Sequence, residues 1–100
     1  MNPLRIMQLG CGRWGQRVLA AIQRNAVMHL VAVVDTDPQA RERATAMANG
    51  VLVAASAKDA LALADAAVVV TPPSQHASNA HQLLDAGLHV LVENRSRTPV

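Results

Sequence analysis

Residues 4–15 read LRIMQLGCGRWG, a mostly apolar run that leads into the pattern Gly10-Cys11-Gly12-Arg13-Trp14-Gly15. The run from Leu4 to Leu9 predicts a strand, and apolar residues then recur at helical spacing from Arg13 to about Asn25. A G-x-G-x-x-G sequence between a strand and a helix is typical of a dinucleotide-binding turn. The alternative for this segment is an ordinary strand-to-helix turn in a domain that binds no dinucleotide.

Each glycine of this loop has its own predicted role. Gly10 allows a tight turn, Gly12 lets the backbone approach a pyrophosphate, and Gly15 lets the helix pack closely on the sheet. The amides and the positive dipole end of the helix then favour phosphate charge. Arg13 and Trp14 complete the predicted cofactor-binding loop.

Asp35 lies 20 positions beyond Gly15, just after a second predicted strand over His29–Val34. An acidic side chain there accepts hydrogen bonds from the adenosine ribose and repels a 2′-phosphate, so NAD is favoured over NADP. Arg41 and Arg43 could instead serve a 2′-phosphate, but they are interpreted as solvated helix charges.

Cys11 also lies in the predicted cofactor-binding loop. It is interpreted as a small packing residue, because no base or second thiol nearby in the sequence would activate it. As the single cysteine, it also excludes an internal disulfide.

The rest of the chain continues the alternation of short apolar runs with helical patterns. Further strands are predicted over Val51–Ala54, Ala66–Val70 and Leu88–Val92. Helices are predicted from Pro38 to Asn49-Gly50, from Ala57 to about Ala64 after a Ser56 cap, and from a Ser74 cap to Gly87. Five strands and four helices predict a Rossmann-type doubly wound parallel sheet of order 3-2-1-4-5, with the fifth strand at an edge.

Composition excludes several classes of function. The 51% hydrophobic content can fold one domain, but with a single aromatic residue there is no stacking platform for nucleic acid. The formal charge is only +2, and its basic residues are scattered, which also argues against a nucleic-acid partner. No signal-peptide pattern, membrane-length apolar run or metal-ligand spacing is found, so we predict a cytoplasmic protein without membrane or metal partners.

The segment Thr71-Pro72-Pro73-Ser74-Gln75-His76, together with Ala80, Gly87 and the stretch from His89 to Glu93, carries a family resemblance. With the glycine loop it resembles the Gfo/Idh/MocA oxidoreductases, named for glucose–fructose oxidoreductase and inositol dehydrogenase, over residues 4–93. The resemblance implies hydride transfer between a nicotinamide and a hydroxyl-bearing carbon of a sugar or polyol. It also implies that Thr71 and Pro72 border the dinucleotide, that His76 lies beside it, and that Glu93 begins a motif after the fifth strand. His76 can equally be a mere surface residue.

The sequence departs from the family after Glu93, where the family motif Glu-Lys-Pro is replaced by Glu93-Asn94-Arg95. We expect a dinucleotide-binding domain over residues 1–93 and a divergent tail over residues 94–100, with the family's substrate domain absent. One added adenine can restore Glu-Lys-Pro-Leu-Ala, so we hypothesise that the tail is frameshifted.

No catalytic residue can be named from the sequence, and we expect no turnover by the 100 residues alone. The functional alternatives are the cofactor domain of a dehydrogenase and a non-catalytic nucleotide-binding module or inactive truncated fragment. A third is a homo-oligomer that pairs through the exposed edge of the fifth strand.

Overall fold

The strand that precedes the glycine loop lies at the centre of a five-stranded parallel sheet of order β3-β2-β1-β4-β5. The computed structural model describes residues 2–71 and 73–92, and of residues 73–78 the backbone alone. The strands are β1 Leu4–Leu9, β2 Met28–Val34, β3 Leu52–Ala54, β4 Ala66–Val69 and β5 His89–Val92. The α-helices are α1 Arg13–Gln23, α2 Pro38–Met47 and α3 Pro73–Asp85. The predicted fold class and strand order are confirmed.

One predicted helix is wrong. The segment from Ala57 to Ala64 forms two 3₁₀ turns, Ala57–Asp59 and Leu61–Leu63, separated at Ala60 by backbone angles of φ −121° and ψ −4°. Ser56 does cap the first turn, accepting from the Lys58 amide at 3.3 Å. So short a segment gains few α-helical hydrogen bonds, and 3₁₀ turns suit such pieces.

Helix α3 begins at Pro73, two residues earlier than the first helical position that a Ser74 cap predicts. Ser74 therefore lies in its first turn and is not its N-cap. The fixed φ of proline favours the first helical position, which the sequence prediction assigned to a later residue.

The sheet separates two apolar cores. On one face Ile6 packs with residues of α1 and α2, among them Leu19 and Ala44. On the other face Met7 packs with Leu83 of α3 and with the 3₁₀ segment. Leu19 and Leu83 are fully buried, and each contributes about 2 kcal/mol by leaving water.

Strand β5 forms one edge of the sheet and pairs on its described side with β4. Leu91 is 57% exposed there, and Val92 is 39% exposed. Among the described helices, none is long and apolar enough to cross a membrane.

Candidate functional site

The turn after β1 is the tightest part of the glycine loop. Gly10 has φ +100°, and a Cβ at this position would lie 2.9 Å from the carbonyl carbon and oxygen of Val70. Its amide donates to the Val34 oxygen at 2.7 Å, so the turn is wedged between the ends of β2 and β4. A side chain is excluded here by both conformation and space.

Gly12 and Gly15 differ sharply in their surroundings. Gly12 is the N-cap of α1, and nothing lies within 4 Å of where its Cβ would be. A Cβ on Gly15 would lie 2.6 Å from the Gly10 oxygen, so the helix packs against the turn as predicted. No side chain caps α1 and its first turn holds no acidic residue, so this helix end favours an anion at the open Gly12 face.

Asp35 is joined directly to the glycine loop. Its Oδ2 accepts from the Cys11 amide at 2.8 Å, and its Oδ1 accepts from the Asp37 amide at 2.9 Å. Each carboxylate oxygen has a second lone pair, so these contacts leave capacity for hydroxyl donors. Asp35 therefore orders the loop as well as occupying the position predicted for a ribose-binding residue.

Arg41 is not the freely solvated helix charge that the sequence predicts. Its Nη1 donates to the backbone oxygens of Asp35 and Thr36, at 2.9 and 3.1 Å. The guanidinium of Arg41 thus satisfies two carbonyl groups in the turn after β2, which lie six and five residues earlier in the sequence. Arg43 is exposed, as predicted.

Cys11 is fully buried in the core that includes α1 and α2. Burial raises the pKa of its thiol, and the negative charge of Asp35 raises this pKa further, while Arg43 opposes the rise. A buried thiol with a raised pKa stays protonated, which agrees with its interpretation as a packing residue.

Thr71 follows β4 beside the glycine loop, since its amide nitrogen would lie 3.0 Å from a Cβ on Gly10. Its Oγ1 accepts from Asn79 Nδ2 at 2.8 Å, which ties α3 to this end of the sheet. Pro72, Glu93 and residues 94–100 lie outside the described residues. The side chain of His76 also lies outside them, although its backbone belongs to α3.

The exposed Arg13 and the half-buried Trp14 begin α1 next to Gly12. The structure thus gathers Gly10 to Gly15, Asp35 and Thr71 at the carboxyl end of the sheet. The His, Cys, Asp and Glu residues of the described part form no cluster that could hold a metal ion.

Sequence reasoning missed two residues of this site, Asn79 and Gln8. Gln8 is fully buried, and its Nε2 donates to the Gly10 oxygen at 2.9 Å and to the Gly15 oxygen at 2.7 Å. The available signal was a single amide side chain within an apolar strand run. Asn79 gave no comparable signal, because a polar residue in a helix is ordinary.

A partly exposed ion pair lies at the opposite end of the sheet. Arg5 and Asp65 make a bidentate contact, with Nη2 to Oδ1 at 2.9 Å and Nε to Oδ2 at 3.2 Å. The Arg5 amide also donates to Asp65 Oδ2 at 3.0 Å. These hydrogen bonds lower the pKa of the Asp65 carboxyl to about 2.

Comparison with known proteins agrees with this geometry. Residues 4–94 match the model of the GFO_IDH_MocA family, described as an oxidoreductase family with an NAD-binding Rossmann fold. None of the curated proteins matches the chain.

Several solved structures share the fold. The WlbA dehydrogenase of Bordetella pertussis, crystallised with NADH and UDP-GlcNAcA, is 35% identical with a TM-score of 0.84, over 93% of this chain and 29% of that protein. Scyllo-inositol dehydrogenase of Lactobacillus casei, with NAD(H) and scyllo-inositol, is 27% identical with a TM-score of 0.83, over 93% and 28%. A variant of KijD10, a 3-ketoreductase of Actinomadura kijaniata crystallised with TDP-benzene and NADP, is 28% identical with a TM-score of 0.82, over 94% and 31%. The chain thus spans less than a third of the length of each of these proteins.

Proposed function

This chain belongs to the Gfo/Idh/MocA oxidoreductase family, as its NAD-binding Rossmann domain, and we propose that it binds NAD(H) across the glycine loop. In a longer protein this domain would serve hydride transfer to or from a hydroxyl-bearing carbon of a sugar or polyol. The observation that carries the proposal is the open face at Gly12, where nothing lies within 4 Å of an added Cβ at the N-cap of α1.

The residues around this face fit a dinucleotide pyrophosphate. Gly12 leaves the backbone accessible, while Gly10 and Gly15 bring the turn and the helix close together. The first amides of an α-helix lack acceptors within the helix, and the helix dipole adds partial positive charge. Arg13 at the first position of α1 adds a full positive charge.

The charges at the end of β2 favour NAD(H) over NADP(H). In this fold an acidic side chain at the end of the second strand binds the adenosine ribose, and the charge of the Asp35 carboxylate would repel a 2′-phosphate there. Arg41 could bind a 2′-phosphate, but its Nη1 already donates to the backbone oxygens of Asp35 and Thr36. These hydrogen bonds hold the side chain against the protein and favour NAD(H) further.

The nicotinamide of a bound cofactor would accept or donate the hydride. A general acid or base must lie within hydrogen-bond reach of the substrate hydroxyl. Among the side chains that the structure describes around the glycine loop, Cys11 is buried with a raised pKa, and Asp35 is the residue proposed to bind the adenosine ribose. This favours a second candidate function, a nucleotide-binding module without catalysis of its own.

Two measurements test the proposal. Titration of the purified chain with NADH and with NADPH, followed by the fluorescence of Trp14, should show saturable binding with a lower dissociation constant for NADH. Absence of binding to both cofactors would contradict the proposal. Nicotinamide absorbance in the presence of NAD and sugars or polyols then separates the candidates, because turnover by the 100 residues would exclude the non-catalytic module.

A further inference from the structure

Gln8 is the single polar side chain in the buried core of the described residues. It lies two positions after Ile6 on β1 and therefore faces the same side of the sheet, toward α1. Its Oε1 is buried and accepts no hydrogen bond from any described residue. An unpaired buried oxygen opposes folding, so an apolar side chain would serve the core better. The contribution of this carboxamide must lie in the two hydrogen bonds that Nε2 donates.

These hydrogen bonds fix one peptide plane of the loop. Gln8 Nε2 holds the Gly10 oxygen at 2.9 Å, and Asp35 Oδ2 holds the amide of the same peptide, that of Cys11, at 2.8 Å. The C=O and N–H groups of a trans peptide point in opposite directions. Contacts at both ends therefore stop this plane from rotating.

The same Nε2 also joins the turn to α1, because it holds the Gly15 oxygen at 2.7 Å. A Cβ on Gly15 would lie 2.6 Å from the Gly10 oxygen and 3.4 Å from Gln8 Nε2. Because Gly15 has no side chain, Gln8 has the space to connect the Gly10 turn with the first turn of α1.

We propose that Gln8 is a positioning residue that pre-organises the glycine loop for the dinucleotide, acting with Asp35 on opposite ends of the Gly10–Cys11 peptide. This inference rests on the proposed function. A loop already held in its binding conformation pays no ordering cost when the ligand arrives. Gln8 itself is buried beneath the loop and acts through the backbone.

The test compares Gln8→Met and Gln8→Leu with the wild-type chain. Both variants put an apolar side chain of similar size at this position and remove the two donated bonds. We expect the dissociation constant for NADH to rise about tenfold and the Cys11 amide to exchange with solvent about tenfold faster, the effect of losing one pre-organised contact. Met7→Leu is the matched control, since Met7 is equally buried on the other face of β1 and should leave both quantities unchanged.

A second background tests the partnership with Asp35. In Asp35→Ala the Cys11 amide has already lost its acceptor, so adding Gln8→Met should accelerate its exchange less than about twofold. A merely structural role for Gln8 would instead give the same acceleration in both backgrounds, and that result would overturn the proposal.

The remaining outcomes are equally decisive. If the wild-type chain binds no NADH, the proposed function fails, while the Cys11 exchange rates still decide the role of Gln8. If the wild-type chain binds NADH and both Gln8 variants match its affinity and exchange rate, the role of Gln8 is overturned. Unfolding of both variants would also overturn it, because Gln8 would then support the fold and not the loop.

Discussion

The polar side chains at the two ends of the sheet bind different kinds of partner. At the amino end, the Asp65 carboxylate is bound by the Arg5 backbone amide and by its guanidinium, so the polar groups satisfy one another. At the carboxyl end, Asp35 and Gln8 bind backbone groups of the glycine loop, and the face at Gly12 stays open. At the amino end two partly exposed side chains bind each other, whereas at the carboxyl end polar side chains hold backbone groups beside an open face.

The difference shows how a site is distinguished from a stabilising contact within one sheet. A carboxylate and a guanidinium that bind each other share their opposite charges and offer less to a ligand than an open helix end does. In the glycine loop, the buried Gln8 holds the carbonyl groups from the core side. The solvent side of the loop then includes the N-terminus of α1, which favours an anion. Substitutions at the two ends should therefore separate into effects on stability and effects on binding.

The largest expected effect is on folding, from Gly10→Ala. The new Cβ would have to share space with the Val70 carbonyl at 2.9 Å, in a residue with φ +100°. We expect a loss of about 3 kcal/mol in the free energy of unfolding, measured by urea denaturation. Gly50→Ala is the control, with φ +77° but open space, and should cost about 1 kcal/mol. If both variants lost the same free energy of unfolding, the close approach of Gly10 to the end of β4 would make no contribution to stability.

Next in size is the effect of Gly12→Ala on binding. The residue has φ −74° and open space around it, so alanine fits, and as a poorer N-cap it should lower the free energy of unfolding by no more than about 1 kcal/mol. The methyl group would stand on the open face, and we expect the dissociation constant for NADH to rise at least about tenfold, a cost of about 1.4 kcal/mol. Calorimetric titration measures the dissociation constant. If Gly12→Ala bound NADH like the wild type, the open face at the carboxyl end of the sheet would not be the binding surface.

A smaller effect is expected on cofactor preference. Asp35→Ser removes the negative charge at the end of β2, so the ratio of NADPH to NADH affinity should rise about fivefold to tenfold. The Cys11 amide loses its carboxylate acceptor in the same variant, so affinity for both cofactors should fall somewhat. The measurement is a paired titration with NADH and NADPH. If the ratio of NADPH to NADH affinity did not change, Asp35 would not lie beside the adenosine ribose.

The smallest effect is expected at the amino end, from Asp65→Asn. The pKa of Asp65 is lowered from 3.8 to about 2 in the folded chain, so its ion pair stabilises the fold above about pH 4. This contribution disappears as the pH falls through 2, and the wild-type chain should lose stability across that window. In Asp65→Asn the loss should be shallower, as thermal denaturation at several pH values would show. NADH affinity at neutral pH should be unaffected.

The fold and the carboxyl end of the sheet were predictable from local patterns. The alternation of apolar runs with helical patterns predicted the strand order, and the glycine spacing with the acidic residue after the second strand predicted the position of the cofactor side. The contacts of Gln8, Arg41 and Asn79 join residues close in sequence, but they could not be predicted because each depends on the conformation of the turn that it bridges. The contact between Arg5 and Asp65 could not be predicted because these residues are 60 positions apart and only the sheet brings them together. The helix predicted over Ala57 to Ala64 failed because helical propensity alone does not set the length that tertiary packing allows.

The most direct test of the account is a titration of the wild-type chain, Gly12→Ala and Asp65→Asn with NADH under one condition, followed by the fluorescence of Trp14, the single tryptophan. We expect saturable binding by the wild type, the same dissociation constant for Asp65→Asn, and a dissociation constant at least about tenfold higher for Gly12→Ala. Absence of saturable binding by the folded wild-type chain, or equal affinity in all three proteins, would contradict it.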